Sequence, residues 1–512
     1  MEDRPERTST SSFGVGRREG HDSSAFYERF TPPVLSDDEV VNRPRELIDQ
    51  LGRGRLFEGS IDRLGVLPEN SVALVVTSPP YFVGKDYELA VTGEHDSDDR
   101  IPATYIEYLD MLRSVFRECW RVLEPGGRIA VNVANLGRKP YRSLSADVIS
   151  ILQDDLGMLL RGEVIWEKSS ASSGSCAWGS FARASNPVLR DVTERVVIAA
   201  KGRFARAKAL KTRKAAGLPF ESTLANDEFV DVTRDVWRID AESARRVGHP
   251  APFPVELPRR LIDLYTYRDD IVVDPFVGSG TTMVAAARSG RIGVGFDTDR
   301  SYVELAQRRL DDELARVGQL DRVATDLEHA SPEEQRELMA TLPFEDRQEH
   351  FQSRAVREGK KAQDIALRSL TEAGFETIDG KAKHPSGLVD FSFRLTHPGG
   401  ARIWVDVSGA FTTNRPGLQR IDAVWKLLGR LHVLDLEPGA ADEHVLVLTS
   451  NLPRRGSPGD RALRKVGPNV IFDAIELYDP AGLERLRVYA NQAKPRPEPG
   501  FWTSEELDGR FR

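Results

Sequence analysis

Cysteine is almost missing from this chain: two in 512 residues, Cys119 and Cys176. That excludes a disulfide framework and a multi-cysteine metal site, and both read as ordinary intracellular thiols. Long apolar runs are missing too. The longest, such as Val72–Val76 and Val196–Ala200, reach about a third of a membrane span or less and suit buried strands instead. The opening residues, Met1-Glu2-Asp3-Arg4-Pro5, lack the apolar stretch of a secretion leader, so a cytoplasmic location without membrane contact is expected. Positive charge is in deficit, with 71 Lys and Arg against 79 Asp and Glu, a net charge of −8. Such a total argues against a phosphate-rich partner, because phosphate binding draws on Lys and Arg, unless the basic residues are concentrated somewhere.

A chain of this length has room for roughly three domains and can bury a sizeable core. Residues 1–25, rich in Ser, Thr, Gly and Arg, read as a disordered tail. From 45 to 312, apolar runs alternate with amphipathic stretches. Strands are expected at Val72–Thr77, Arg128–Val133, Val164–Trp166, Arg195–Ala200, Ile271–Val273 and Arg291–Phe296, with helices at Tyr105–Leu123 and Thr281–Arg288. This alternation predicts an α/β, Rossmann-like domain with a mostly parallel sheet covered on both faces. A helical connector is expected over 313–345, where Ser331-Pro332-Glu333-Glu334 makes a capped helix start. A smaller α/β unit is expected over 346–490, reading helix 355–374, strands 387–395 and 401–409, helix 417–430, strand 444–450 and helix 470–478. Residues 491–512, with Pro495, Pro497 and Pro499, read as a loop-like tail.

Two motifs carry chemistry. Thr77-Ser78-Pro79-Pro80-Tyr81 follows directly on a strand. Successive prolines fix the backbone into a rigid, extended turn, which can hold a Ser hydroxyl and a carbonyl in set directions beside an aromatic ring. An exocyclic amine of a flipped base needs two such acceptors and a ring to stack on. Val273-Asp274-Pro275-Phe276-Val277-Gly278-Ser279-Gly280-Thr281-Thr282 lies between a strand and a helix. Its glycines permit close backbone approach to a ligand and the helix start offers N–H groups. About twenty residues later, Asp297 ends the next strand, where an acidic residue can bind ribose hydroxyls.

Together these motifs resemble the S-adenosylmethionine-dependent DNA amino-methyltransferases, in the permuted, β-type order with the catalytic motif first. Gly248-His249-Pro250-Ala251-Pro252-Phe253-Pro254, Arg121-Val122-Leu123-Glu124-Pro125-Gly126-Gly127, Trp178-Gly179-Ser180 and Thr193-Glu194-Arg195-Val196-Val197 agree in place. The resemblance covers residues 50–312, with one departure: Ser60 follows Gly59 where the family has Asp. It implies methyl transfer from S-adenosyl-L-methionine to an amine of double-stranded DNA. Ser78 and the Pro79 carbonyl would hold the amine, Pro80 would stiffen the turn, and Tyr81 would stack on the base. Asp274, Phe276, Gly278, Ser279, Gly280, Thr281, His249 and Phe253 would line the cofactor, with Asp297 on its ribose. Neither cysteine follows a proline, so the Pro-Cys nucleophile of carbon-5 methylation is missing. Ser before the prolines resembles the N4-cytosine branch; adenine N6 is the alternative.

The basic residues are indeed concentrated. Lys201, Arg203, Arg206, Lys208, Lys211, Arg213 and Lys214 lie within fourteen residues free of Asp and Glu. That segment carries +7 and leaves −15 for the rest. It opens the span 201–247, where the family places target recognition, and is expected to contact DNA phosphates. In the second unit, Asp390 and Asp406 on successive strands weakly resemble the restriction-endonuclease-like core. There, two carboxylates hold Mg²⁺ and a Lys stands two residues after the second; here that position is Ser408, with Lys426 as a substitute. His384 and His397 read as surface residues. The chain is therefore expected to serve restriction–modification or phage defence. It would act beside a restriction or defence-system partner, or as a single-chain enzyme that also cuts.

Overall fold

A computed structural model describes residues 35–82, 102, 104–135, 141–168, 179–224, 226–242, 253–343, 346–347, 362–396, 402–408, 417–435, 444–492 and 495–510. The expected N-terminal tail, Cys176, Trp178, His249 and His397 lie outside them. Among the described residues no helix is long and apolar enough to cross a membrane.

The first unit is built on eight strands: β1 Gly54–Glu58, β2 Val72–Thr77, β3 Leu123–Val133, β4 Leu159–Lys168, β5 Thr193–Ala200, β6 Val236–Ile239, β7 Ile271–Asp274 and β8 Ile292–Asp297. They lie in the order β1-β8-β7-β2-β3-β5-β4-β6. Of these, β5 runs against its neighbours β3 and β4; the other adjacent pairs are parallel. This is the Rossmann-like, mostly parallel arrangement expected. β2 is central and buried at all six residues, which is why it reads as an unbroken apolar run. The helix Tyr105–Val122 covers one face with Tyr108, Leu112, Val115, Phe116 and Cys119, started by a capping box between Thr104 and Glu107. β2 is flanked by β3 on one side and β7 on the other. The chain direction therefore diverges there, and the carboxyl ends of β2 and β7 open into one crevice.

Several boundaries differ from expectation. Pro125-Gly126-Gly127 does not precede β3 but lies inside it as an irregularity, with Val72 opposite Leu123 and Leu74 opposite Arg128. Gly126 has φ 76°, and a Cβ there would come within 1.9 Å of the Ala205 carbonyl oxygen, so glycine is required. The described part of the span 201–247, expected as a target-recognition insert, contributes to the sheet. It holds β6, parallel to β4, with Trp237 buried in the core.

The helix Arg300–His329 runs through the expected domain boundary. Ala306 and Leu310 pack on the first unit, while Leu320, Val323 and Leu327 join the core of the second. The second unit has β9 Thr377–Lys383, β10 Asp390–Thr396, β11 Arg402–Ser408, β12 His444–Thr449 and β13 Ile471–Glu476, in the order β13-β12-β11-β10-β9. β9, β10 and β11 form an antiparallel meander, and β11, β12 and β13 are parallel.

The helix expected at 470–478 is instead β13. Five of its six residues are buried, and a short apolar run flanked by buried surface carries no period that tells strand from helix. The expected tail is core as well: Phe501 and Trp502 are buried, and Trp502 Nε1 donates to the Ile471 carbonyl at 3.1 Å. Trp502→Ala is expected to cost the second unit about 3–5 kcal/mol, read as a lower urea midpoint for that unit.

Candidate active site

The site begins with one buried carboxylate. Asp274 ends β7 and is 1% exposed. Thr77 Oγ1, at the end of the adjacent β2, donates to its Oδ1 at 2.6 Å, and Thr282 Oγ1 donates to Oδ2 at 2.6 Å. The Phe276 N–H also donates to Oδ1, at 3.1 Å. Burial pushes the Asp274 carboxyl up to about 6, against the pull of these three donors. Both oxygens are thus engaged inside the protein. Asp274 does not face the crevice as expected; it ties the Ser78 turn to the glycine loop.

The loop after β7 is shaped by its neighbours. Gly278 N–H donates to Asp297 Oδ2 at 2.9 Å, and Asp299 N–H to Oδ1 at 3.0 Å. Gly280 caps the helix Thr281–Arg288 at φ 81°, and a Cβ there would meet Ala306 Cβ at 2.8 Å. Ser279, Gly280 and Thr281 are buried, and the Ser279 carbonyl accepts from Arg309. Phe253, Phe276, Gly278 and Asp297 remain partly exposed. These four fit an adenosine-bearing cofactor: aromatic rings, an approachable backbone and a carboxylate at the end of β8 for ribose hydroxyls. Ser60, which replaces the family's Asp, donates to Asp62, and Ser114 donates to the same carboxylate at 2.5 Å.

Ser78 is partly exposed, Pro79 buried and Pro80 exposed. Tyr108 donates its hydroxyl to the Pro80 carbonyl at 2.6 Å, bracing the turn. Tyr81 is not the open stacking platform expected. It is 8% exposed, and its hydroxyl is 2.9 Å from Ser78 Oγ and 3.0 Å from Glu194 Oε2. The partly exposed ring of this turn is Phe82, at φ 51°, stacked on Tyr108 with centroids 5.3 Å apart. A positive φ at a bulky residue is sterically costly and marks a backbone held in place by its surroundings.

Sequence reasoning gave no role to Asn132, Lys168 or Glu194. Asn132 Nδ2 donates to Glu194 Oε2 at 2.6 Å, and Lys168 Nζ is 2.5 Å from Oε1. Ser78 Oγ also lies 3.1 Å from the Asn132 carbonyl oxygen. Register explains the gathering. Thr77 is opposite Val131, and Asn132 is opposite Val196 across the antiparallel pair. Glu194, two residues from Val196, therefore projects from the Asn132 face. The available signals were the family-like segment Thr193-Glu194-Arg195-Val196-Val197 and, within it, an acidic residue at the start of an otherwise apolar strand.

The basic segment is elsewhere. Lys201 is level with Gly127: its N–H donates to the Gly127 carbonyl at 3.0 Å, and the Gly126 N–H donates to the Lys201 carbonyl at 2.8 Å. Ser78 is level with Asn132, so the two lie about 17 Å apart along the sheet, at opposite edges. Lys201 Nζ donates to Asn70 Oδ1, Arg121 O and Leu123 O at 2.7, 3.1 and 2.8 Å, and burial lowers its pKa to about 8. Arg206 and Arg213 are buried against Glu124 and Asp270. Arg203 pairs with Glu39. Lys211 and Lys214 are exposed and Lys208 partly so. Of the seven residues expected to contact phosphate, Arg206 and Arg213 form a buried ion-pair lock and Lys201 is held by Asn70 and backbone carbonyls, while Lys208, Lys211 and Lys214 reach solvent.

In the second unit Asp390 is exposed at the start of β10. Asp406 is buried, 2.5 Å from Arg430 Nη2, and accepts from Ser408 Oγ. Among the described residues no three His, Cys, Asp or Glu side chains gather to hold a metal. His384 is not a surface residue: it is buried, with Nδ1 2.8 Å from Ser386 Oγ and its ring against Trp404.

Two outcomes are expected. Arg213→Ala leaves Glu124 and Asp270 with Arg206 but removes a second buried guanidinium and the donor to the Pro219 and Ala207 carbonyls; it destabilises the first unit by about 1–3 kcal/mol, read by urea unfolding. The second outcome concerns pH. The raised pKa means that the folded chain binds the Asp274 proton more tightly than the unfolded chain does. This contribution is full below about pH 4 and lost as pH rises through about 6. Asp274→Asn removes it. Urea unfolding at pH 4 and pH 7 should show the original chain losing of the order of 3 kcal/mol relative to the variant over that interval.

The DNA methylase family model for N6 and N4 methyltransferases matches residues 72–308. The chain is 27% identical over 320 residues to the type II beta methyltransferase M.BslI of Bacillus sp. (strain NEB-606), a match covering 57% of this chain and 32% of that protein. It is 31% identical over 182 residues to the type II methyltransferase M.MjaVI of Methanocaldococcus jannaschii, covering 35% of this chain and 83% of the relative. The S-adenosyl-L-methionine complex of a DNA modification methylase from Thermus thermophilus, TTHA0409, aligns with a TM-score of 0.38 at 29% identity, over 51% of this chain and 94% of that one. With the Ser-Pro-Pro-Tyr turn and the glycine loop joined through Thr77 and Asp274, and with M.MjaVI matched at 31% identity over 83% of its length, the chain belongs to the DNA methylase family.

Proposed function

We propose that this chain methylates the exocyclic amine of a base in double-stranded DNA, with N4 of cytosine as the acceptor, at a specific site within a restriction–modification or defence system. The observation that carries the reading is the 2.6 Å hydrogen bond from Thr77 to Asp274, which fixes the Ser-Pro-Pro-Tyr turn against the glycine loop. When bound, S-adenosyl-L-methionine supplies a methyl group on a cationic sulfur. Phe276, Gly278, Asp297 and Phe253 would hold that cofactor. Ser78, on a turn stiffened by two prolines and braced by Tyr108, would accept a hydrogen bond from the base amine. That contact orients the nitrogen lone pair toward the methyl group, so the chain contributes positioning more than acid–base chemistry. The base must leave the helix to reach the crevice, and Phe82, the partly exposed ring, replaces Tyr81 as the aromatic side chain nearest to offering a stacking face.

Serine before the prolines favours cytosine N4 over adenine N6. For the second unit we favour an accessory role over cutting, because the buried Asp406 is taken up by Arg430 and Ser408. The test is transfer of labelled methyl groups to unmethylated duplex, followed by nucleoside digestion. N4-methylcytosine is expected. N6-methyladenine would move the assignment to the other base, and no incorporation on any duplex would overturn the reading. Ser78→Ala is expected to lose at least about 100-fold in kcat, the scale of one positioned hydrogen bond in a transition state, with cofactor binding retained.

A further inference from the structure

The hydrogen-bond network behind Ser78 has a fixed direction, and Glu194 sets it. A carboxylate only accepts, so Tyr81, 3.0 Å from Glu194 Oε2, sends its single proton there. Burial and the Glu194 charge both push the Tyr81 phenol well upward, so that proton stays on tyrosine. Its oxygen can then only accept, and Asn132 Nδ2 at 3.3 Å and Ser78 Oγ at 2.9 Å are its neighbours. The Ser78 proton is therefore directed inward, to the Tyr81 oxygen or to the Asn132 carbonyl 3.1 Å away. Among the described residues no donor reaches Ser78 Oγ, so both of its lone pairs are left for an incoming N–H. Glu194 is itself 6% exposed, with Oε1 against Lys168 Nζ at 2.5 Å and Oε2 against Tyr81 and Asn132.

We propose that Glu194, held by Lys168, is a positioning residue for methyl transfer: through Tyr81 and Asn132 it polarises the network so that Ser78 faces the base amine as an acceptor rather than a donor. This rests on the methyltransferase reading and adds to it a residue on the antiparallel strand, outside both motifs. The orientation of the Asn132 amide follows from the same logic. Its NH₂ must face the carboxylate, which leaves Oδ1 as a buried oxygen without a hydrogen-bond partner among the described residues, a second acceptor whose direction Glu194 dictates.

The two conservative replacements separate this role from packing. In Glu194→Gln the oxygen must face Lys168, so the amide NH₂ takes the Oε2 position and donates to Tyr81. Tyr81 then turns its proton on Ser78, which loses an acceptor lone pair. In Glu194→Asp the side chain is shorter but still accepts. Steady-state methyl transfer, with cofactor binding by calorimetry, should show kcat of Glu194→Gln down about 10- to 100-fold. KM for DNA and cofactor affinity should each stay within about threefold, and Glu194→Asp should retain more activity than Glu194→Gln. Adding Glu194→Gln to Tyr81→Phe should cost less than about threefold further, because the relay is already cut. The inference is overturned if Gln outperforms Asp, as a shape-only role requires, if Glu194→Gln keeps kcat within threefold, or if the losses simply multiply in the double variant. If Glu194→Gln does not fold, the Asp variant decides: a loss beyond about 100-fold in kcat with cofactor binding intact overturns it. Absence of transfer by the unaltered chain would instead count against the methyltransferase reading.

Discussion

The structure of the crevice depends on a single buried carboxylate. Asp274 receives Thr77 from β2 and Thr282 from the helix after the glycine loop. One ionisable group thereby clamps the two functional segments, 197 residues apart, to the carboxyl edge of neighbouring strands. Leaving such a group buried without partners is costly. The hydroxyls of the two threonines and the Phe276 N–H meet that requirement, and in meeting it they set the distance between the loop and the turn.

Around that clamp the chain separates its charges by task. At the crevice edge, Glu194 and Lys168 form a pair that orders hydroxyls and amides rather than a stabilising bridge alone. At the opposite edge, Lys201 holds the Leu123 carbonyl, and Arg206 and Arg213 tie Glu124 of β3 to Asp270. Buried ion pairs add little net stability against apolar replacements, yet removing one partner is severe. They therefore specify which turn packs where. Such a use of arginine looks the same in sequence as a phosphate-binding surface.

The second unit shows the complementary problem. Its meander and parallel strands are joined to the first unit by a helix that contributes to two cores. Its last aromatic pair, Phe501 and Trp502, lies in a segment that reads as loop because prolines precede it. The acidic residues on β10 and β11 differ in burial and partners. Arg430, on the helix Ile421–Asp435, lies 2.5 Å from the buried Asp406 carboxylate.

The central parallel sheet was legible from residue order, because fully buried strands must be continuously apolar. So were both motifs and their strand-to-loop setting, because prolines and glycines leave few backbone alternatives. The start of the connector helix at Ser331 was equally legible, since a capping box is a local arrangement. Which polar atoms met was settled in three dimensions. That Asp274 turns inward, that Tyr81 is buried behind Ser78, and that Glu194 reaches Tyr81 and Asn132 follow from strand register across β7, β2, β3 and β5. That the basic segment leaves the sheet at the far edge follows from β5 running antiparallel. Register and strand direction are set by pairings between residues far apart in the chain, and no local pattern of residue types records them.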